Sequence, residues 1–562
     1  MLIVWRCLSR TRSSSQLLLL RRSVWDMAAE RKYEEAIRAL NSLQTNASVL
    51  EELRSKSQTS RESRNRDSLP GFARHLNRMG IQVDDLDELS VIHVSGTKGK
   101  GSTCAFCESI LRHSGYKTGL FTSPHLVEVR ERIRINGKPL SRMAFSDYFW
   151  QCFKKFEETK EEHHGRMPSY FRFLTALSFH VFLREKVDVA ILEVGIGGTY
   201  DCTNIVRKPI VCGIASLGMD HIRILGDTIE QIAWHKAGIF KRGVPAFTIN
   251  QEAGGMDVIA ERASELGTSV RVVPKLVEYP GPLPELGLAG EHQQLNATLA
   301  IQLCHTWIAH KSQQRQRTEN GDKDDDDDND DDDGEISQLE RAPVFDLPSS
   351  FRTGLKDCRW LGRAQVIERP AVTLYLDGAH TVRSVRACVK WFQTTSQKQF
   401  SSPTGVKVVQ VLLFNCMGRR DPLPLLSEIQ PLNISYALFC PNIASLEKEH
   451  FEDQTSLNTT HEADVSVCRE NETTWLSLMS SKSTTTYVFD CVLDCLIWLF
   501  NGRDPALPSD DRRKAWPALP DELAHAHHIQ LLVTGSFRLM GATLKALGPK
   551  IVQVVPPDDE IE

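Results

Sequence analysis

The segment "VIHVSGTKGKGST", Val91 to Thr103, joins a β-branched apolar run to a loop of alternating glycine and lysine that ends in two hydroxyls. Its first half has the pattern of a buried strand, and Cys104, Cys107, Ile110 and Leu111 then recur at helical spacing up to Gly115. A strand, a glycine loop and a helix in that order form a phosphate cradle. Glycines let backbone N–H groups face an anion, the helix N-terminus adds partial positive charge, and a lysine neutralises phosphoryl oxygens. The strict Walker pattern fails here. With Lys100 as the phosphate lysine, its first glycine falls on Val94 and its hydroxyl on Gly101.

Further apolar runs, "KTGLFTS", "VDVAILEVG", "IVCGIASLG" and "VPAFTIN", alternate with segments of helical period and predict a parallel sheet covered by helices on both faces. The long segment "EHQQLNATLAIQLCHTWIAHK" predicts a helix closing this part. A second alternation begins near Ser350 with "AVTLYLDGAH" and continues through "VKVVQVLLFN", "YALFCPN" and "STTTYVFDCVLDCLIWLF" to "IQLLVTGSFRLMGATLKAL", without a phosphate loop of its own. The expected fold class is α/β in two domains: an N-terminal P-loop-type domain with a mostly parallel sheet, and a smaller C-terminal Rossmann-like α/β domain. A chain of 562 residues exceeds what one core supports, in keeping with that division. The expected boundaries are a leader over 1–26, a first domain over 27–345 with an acidic insertion at 312–340, and a second domain over 346–562. Polar stretches at 444–482 and 502–524 read as surface insertions.

The net charge of −5 hides an uneven distribution, because Asp322 to Glu335 carries −10 and leaves +5 elsewhere. Five of those positive charges are arginines at 6, 10, 12, 21 and 22. The folded body is therefore nearly neutral, which argues against nucleic acid as a partner. Residues 1–25 hold arginine, serine and leucine without an acid, the composition of a mitochondrial transit peptide, and Met27 precedes an amphipathic helix that suits a cytosolic start. No run reaches the length of an integral membrane segment. Fourteen cysteines lack framework spacing, so Cys104 and Cys107 read as core, and the histidines of "HAHH" read as surface.

Chemistry in open α/β sheets gathers at the carboxyl ends of the strands. Ser123, Glu193, Asp220 and His221 stand just past such strands, with Lys236 following in "IAWHKAGIF". A hydroxyl, a carboxylate and an imidazole so placed suit a hard cation beside phosphates, since Mg²⁺ takes few protein ligands. Singly, each has a plain structural alternative: a turn before Pro124 for Ser123, a cap for Glu193, a satisfied loop histidine for His221. Their repetition at strand ends favours a shared site.

The ordered set "GTKGKGST", "FTSPHLVEVRERIRING", "YFRFLTALSFHVF", "LEVGIGGTYDCTNI", "SLGMDH", "IAWHKAGIFK", "GEHQQLNATLAIQL", "LDGAH" and "LLVTGS" resembles the folylpolyglutamate synthases of animals, wider relatives of the Mur ligases. The resemblance runs from about Asn41 to Leu547. It implies an ATPase first domain and a glutamate ligase second domain, with tetrahydrofolate and its polyglutamates, L-glutamate and MgATP as partners, in a monomer. It implies that Gly99, Lys100, Gly101 and Ser102 would hold the ATP phosphates, while Ser123, Glu193 and His221 would hold Mg²⁺. Arg363 and Asp377 would reach ATP from the second domain with His380 beside them, and Lys236 would be carbamylated. Folate would lie against "SPHLVEVRERI" and the "YFRF" helix. Leu361 departs from the proline expected in "W-P-G-R", which bears on the local loop shape. The rivals are a dihydrofolate synthase or bifunctional enzyme, a nucleotide-binding regulator without catalysis, and an NTPase motor. The motor is disfavoured by the failed Walker pattern, and the regulator by the presence of Lys100, Glu193, His221 and Asp377.

Overall fold

Two sheets organise the chain. The computed structural model describes residues 29–44, 65–163, 165–320, 339–399, 407–416, 420–446, 453, 460–480, 484–508 and 516–548. The expected leader and the run Asp322 to Glu335 lie outside the described residues. The first sheet comprises β1 (Val91–Ser95), β2 (Thr118–Phe121), β3 (Ile133–Ile135), β4 (Lys138–Pro139), β5 (Val189–Glu193), β6 (Val211–Ile214), β7 (Ala246–Thr248), β8 (Val270–Val272) and β9 (Glu340–Arg341). Their order is β4-β3-β2-β5-β1-β6-β7-β8-β9, and only the β2–β3 and β3–β4 pairings are antiparallel. β1 and β5 are buried along their whole length, as strands covered on both faces must be. Ile92 and Val94 share a core with the helices Lys100–His113 and His292–Asn320. Val91, Ala190 and Leu192 belong to the opposite core, with the helices Arg142–Glu158 and Tyr170–Glu185 and a helix over 29–41.

The second sheet contains β10 (Gln365–Arg369), β11 (Val372–Leu376), β12 (Val408–Phe414), β13 (Tyr436–Phe439), β14 (Thr485–Val488) and β15 (His528–Thr534), in the order β10-β11-β15-β12-β13-β14. All its pairings are parallel except β10–β11. The two-domain α/β architecture is therefore the one expected. Cys104 and Cys107 are buried and free, and His525 and His527 are exposed, in line with their sequence readings, whereas His528 begins β15, half-buried, with its Nε2 2.9 Å from Thr373 Oγ1.

Three details differ from the sequence reading. The helix His292–Asn320 runs through the first nine residues assigned to an acidic insertion, and β9 already pairs with β8 at Glu340. The helix Ser349–Asp357 packs on Lys100–His113, and Phe351, Leu355 and Cys358 enter the first domain's core, so packing puts the changeover between Cys358 and Gln365. A Cβ on Gly354 would stand 2.6 Å from Ile110 Cα, which shows how closely these helices approach. The polar stretch read as a surface insertion at 444–482 contains the helix His461–Leu478, the crossover that carries β13 to its parallel neighbour β14. Its Cys468, Asn471 and Trp475 form a narrow buried stripe.

Among the described residues no helix is long and apolar enough to cross a membrane. Leu126, from the loop after β2, helps tie the two domains together, being 4% exposed within the second domain's core. Trp475 is fully buried, so Trp475→Ala should lower stability by about 3–5 kcal/mol in denaturant unfolding. A loss below 1 kcal/mol would return this helix to the surface.

Candidate functional site

The glycine loop leaves β1 and enters its helix through two special backbone positions. Gly96 has φ +144° and Gly99 φ +85°. A Cβ on Gly99 would lie 2.1 Å from Asn296 Oδ1, so position 99 excludes a side chain both by conformation and by space. The N–H groups of Thr97 and Lys98 donate to the Ser216 carbonyl at 2.8 and 3.0 Å, which pins the loop to the segment after β6. The first intrahelical bond runs from Thr103 N–H to the Gly99 carbonyl. The first-turn amides that follow Gly99 precede any intrahelical acceptor, and that turn contains no acid to compete with an anion.

Side chains from four strand ends gather around this loop. Glu193 is buried; its Oε2 accepts the Ser123 N–H at 2.9 Å, and Lys100 Nζ lies 3.9 Å from Oε1. Burial raises the Glu193 pKa, with Lys100 pulling the other way. A Cβ on Gly101 would contact Trp360 Nε1 at 3.5 Å and Glu193 Oε2 at 3.6 Å. His221 has left-handed backbone, φ +52°. Burial lowers its pKa; Asp220 opposes this, and Lys100, Lys236 and Lys98 reinforce it. His221 is nevertheless exposed to solvent at the mouth of the site. Lys236 is buried on the helix Ile229–Ala237 and donates to the Gly96 carbonyl at 2.7 Å. Burial, with Lys100 nearby, holds its pKa well below the lysine range.

The second domain closes the opposite side. Lys98 Nζ lies 3.0 Å from Asp220 Oδ2 and 2.8 Å from His380 Nε2. The other ring nitrogen of His380 faces the Gly378 carbonyl at 2.9 Å, so Nδ1 donates and Nε2 accepts from Lys98. Burial brings the Lys98 pKa down to about 8. Burial opposes ionisation of Asp220, yet its carboxyl is held far below the usual range, with the Lys98 ammonium 3.0 Å away. Arg420 Nη2 stands 4.0 Å from its other oxygen. Arg363 lies over the Phe537 ring at 5.0 Å and contributes to the fields at both Glu193 and Lys98.

Asp377 braces backbone both before and after it in the chain. Its Oδ2 accepts the Ala364 N–H at 2.9 Å and its Oδ1 the Ala379 N–H at 3.0 Å. It thereby fixes the turn that presents Arg363. Gly362, with φ +77°, and Gln365, which accepts the Gly362 N–H at 3.2 Å, complete that turn. Leu361, half-buried, lines a small cavity with Trp360, His125 and Phe537, so the turn is held without a proline.

The residues singled out from sequence thus converge on one interdomain cleft. Lys98, Asp220 as a partner of His380, Arg420 and Asn296 were missed as members. Lys98 was legible as the second lysine of the glycine loop, whereas the others rest on contacts between distant segments. Among the described residues no three His, Cys, Asp or Glu side chains form a metal cluster by themselves.

Comparison with known proteins defines the class and then the family. The two-domain α/β fold is shared with the solved structure of Mycobacterium tuberculosis folylpolyglutamate synthase complexed with ADP, which matches at a TM-score of 0.64 with 20% identity, covering 92% of this chain and 99% of that one. No family model matches the chain. The chain belongs to the folylpolyglutamate synthase family. It is 44% identical over 573 residues to the human mitochondrial folylpolyglutamate synthase, with 94% of each chain covered. It is 44% identical over 570 residues to that of Cricetulus griseus, again with 94% of each covered.

Gly99→Ala should weaken binding of a non-hydrolysable ATP analogue at least about ten-fold in calorimetric titration, because left-handed backbone costs roughly 1–2 kcal/mol with a Cβ and Asn296 must move. Unchanged affinity would remove the loop from the nucleotide site.

Proposed function

We propose that this chain joins L-glutamate to the γ-carboxylate of tetrahydrofolate and its polyglutamates, using ATP to form an acyl phosphate and releasing ADP and phosphate. The observation that carries this reading is the convergence of Lys98, Lys100, Lys236 and Arg363 on a glycine loop whose first-turn amides have no intrahelical acceptor, with Glu193 and Asp220 as carboxylates beside them. Such a field suits a polyphosphate meeting a carboxylate. Two anions repel, and bringing them together is mainly positioning and charge screening.

In this reading the amides of Gly99, Lys100, Gly101 and Ser102 and the Lys100 ammonium hold the phosphates. Ser123, Glu193 and His221 would hold Mg²⁺. The fit is supported by the buried carboxylate of Glu193, which lies against Gly101 at the start of the helix, with only a hydrogen on that glycine between it and the loop. When bound, the ion would neutralise phosphoryl oxygens. Lys236 would be carbamylated, and its burial favours the neutral amine that reacts with CO2. Arg363, held by the turn that Asp377 braces, would steady the nucleotide from the second domain. His380, kept neutral by burial, would hold Lys98 beside the phosphates through its Nε2.

The relatives bearing the name mitochondrial folylpolyglutamate synthase support a mitochondrial location. We propose in addition a cytoplasmic form begun at Met27, because the helix over 29–41 buries Tyr33, Ala36, Ile37 and Leu40 in the first domain and would survive loss of residues 1–26. A reporter carrying residues 1–26 should enter mitochondria, and the chain begun at Met27 should remain in the cytosol with equal specific activity. A uniformly cytosolic reporter would refute the leader.

The bond order is tested by isotope. Tetrahydrofolate monoglutamate carrying ¹⁸O in its γ-carboxylate should transfer one labelled oxygen to inorganic phosphate, with ADP as the nucleotide product. Unlabelled phosphate, or AMP, would overturn the acyl phosphate.

A further inference from the structure

The loop that joins β2 to β3 satisfies its backbone in an unusual way. Glu131, within the loop's own helical turn, accepts the N–H groups of Leu126, Val127 and Glu128 at 2.9, 2.9 and 2.7 Å. The next amide, Val129 N–H, donates instead to Asp453 Oδ1 at 2.8 Å. Val129 is fully buried. Asp453 belongs to the second domain, between β13 and the helix His461–Leu478, and lies 324 positions further along the chain.

Asp453 makes two more contacts at this junction. The same Oδ1 accepts the Tyr33 hydroxyl at 2.7 Å, and the Asp453 carbonyl accepts His125 Nε2–H at 2.9 Å. Tyr33 is buried on the N-terminal helix, edge-on to Phe145 and under the Arg142 guanidinium. The other nitrogen of His125 accepts Arg132 Nε–H at 2.9 Å, so the ring is a neutral Nε2–H tautomer fixed at both ends. His125 and Glu131 line the interdomain cavity together with Arg134, Trp360 and Leu361. One residue of the second domain thus binds the N-terminal helix, the buried Val129 amide of the loop and the histidine facing the cavity.

We propose that Asp453 is a positioning residue for the substrate loop 124–132: it gives that loop its cavity-facing conformation when the two domains are together, and so acts on folate binding and not on nucleotide binding. The proposal rests on the reading above that folate lies against this loop. No catalytic group touches Asp453. Its contribution is to satisfy a buried amide that would otherwise favour a rearranged loop. The nucleotide cradle is built from other segments, by the contacts of Gly96, Gly99 and Lys236, and does not depend on it.

The test compares Asp453→Ala, Asp453→Asn, Tyr33→Phe and the Tyr33→Phe/Asp453→Ala double variant in the full-length enzyme. Asp453→Ala should raise KM for tetrahydrofolate by about ten-fold and leave KM for ATP within about two-fold, as expected for loss of a buried hydrogen-bond acceptor. Asp453→Asn, which keeps the oxygen, should recover most of that loss. The double variant should match Asp453→Ala instead of multiplying the single effects, because both changes act at one oxygen. Hydrogen exchange supplies a readout independent of activity: in Asp453→Ala the Val129 amide should exchange at least about ten times faster, while Leu126, Val127 and Glu128 stay protected by Glu131. Equal shifts in both KM values, an unchanged KM for tetrahydrofolate, or unchanged exchange at Val129 would overturn the proposal and leave the ligase reading intact. Absence of folate-dependent turnover in the unaltered enzyme would overturn the ligase reading, and the proposal with it.

Discussion

The register of β1 against β5 is the constraint on which the site depends. Val94 pairs with Glu193, so the glycine loop and this carboxylate leave the sheet at the same level and on the same edge. On the other side Ser95 pairs with Ile214, which brings the segment after β6 to the loop and lets the Ser216 carbonyl hold two of its amides. Parallel pairing makes this possible, since it aligns the carboxyl ends of neighbouring strands. A carboxylate buried at that edge requires a counter-charge. Lys100 supplies it in this structure.

The second domain adds charge at the one open side of the cradle. Lys98 is held between Asp220 of the first domain and His380 of the second, and Arg420 flanks the same carboxylate. The cations of the cleft depress one another, which favours entry of an anion that relieves their repulsion. Asp377 supports this arrangement at one remove. Both its oxygens hold backbone amides, and through them the turn carrying Arg363.

Much of this was legible in the sequence because strands and cradle announce themselves locally. Alternation of short apolar runs with helical segments gave both parallel sheets, and glycines beside lysines marked the loop. The crossover helix His461–Leu478 escaped because "HEADVSVCRENETTWLSL" is polar on most of its surface and buries only a thin stripe ending in Trp475. The changeover between domains was misplaced because the helix Ser349–Asp357 follows the acidic tract in sequence yet packs on the helix of the glycine loop. Lys98 meets Asp220 across 122 positions and His380 across 282, and no local pattern encodes pairings at such separations. The bracing of the Arg363 turn by Asp377 was equally hidden, because its amide partners, Ala364 and Ala379, lie on both sides of β10 and β11.

Leu126 has a further meaning for how the polypeptide can be divided. Its side chain belongs by sequence to the first domain and by packing to the core of the second, in contact range of Gly362 and Met540. Burying a leucine is worth about 1.5–3 kcal/mol, and that stabilisation exists only while both halves are present. The two halves are therefore not interchangeable modules. A fragment ending before β10 would display an apolar side chain on the loop after β2, and the complementary fragment would carry a hole in its core. Recombining this enzyme by domain exchange would mean choosing the loop after β2 and the turn at Gly362 as a matched pair.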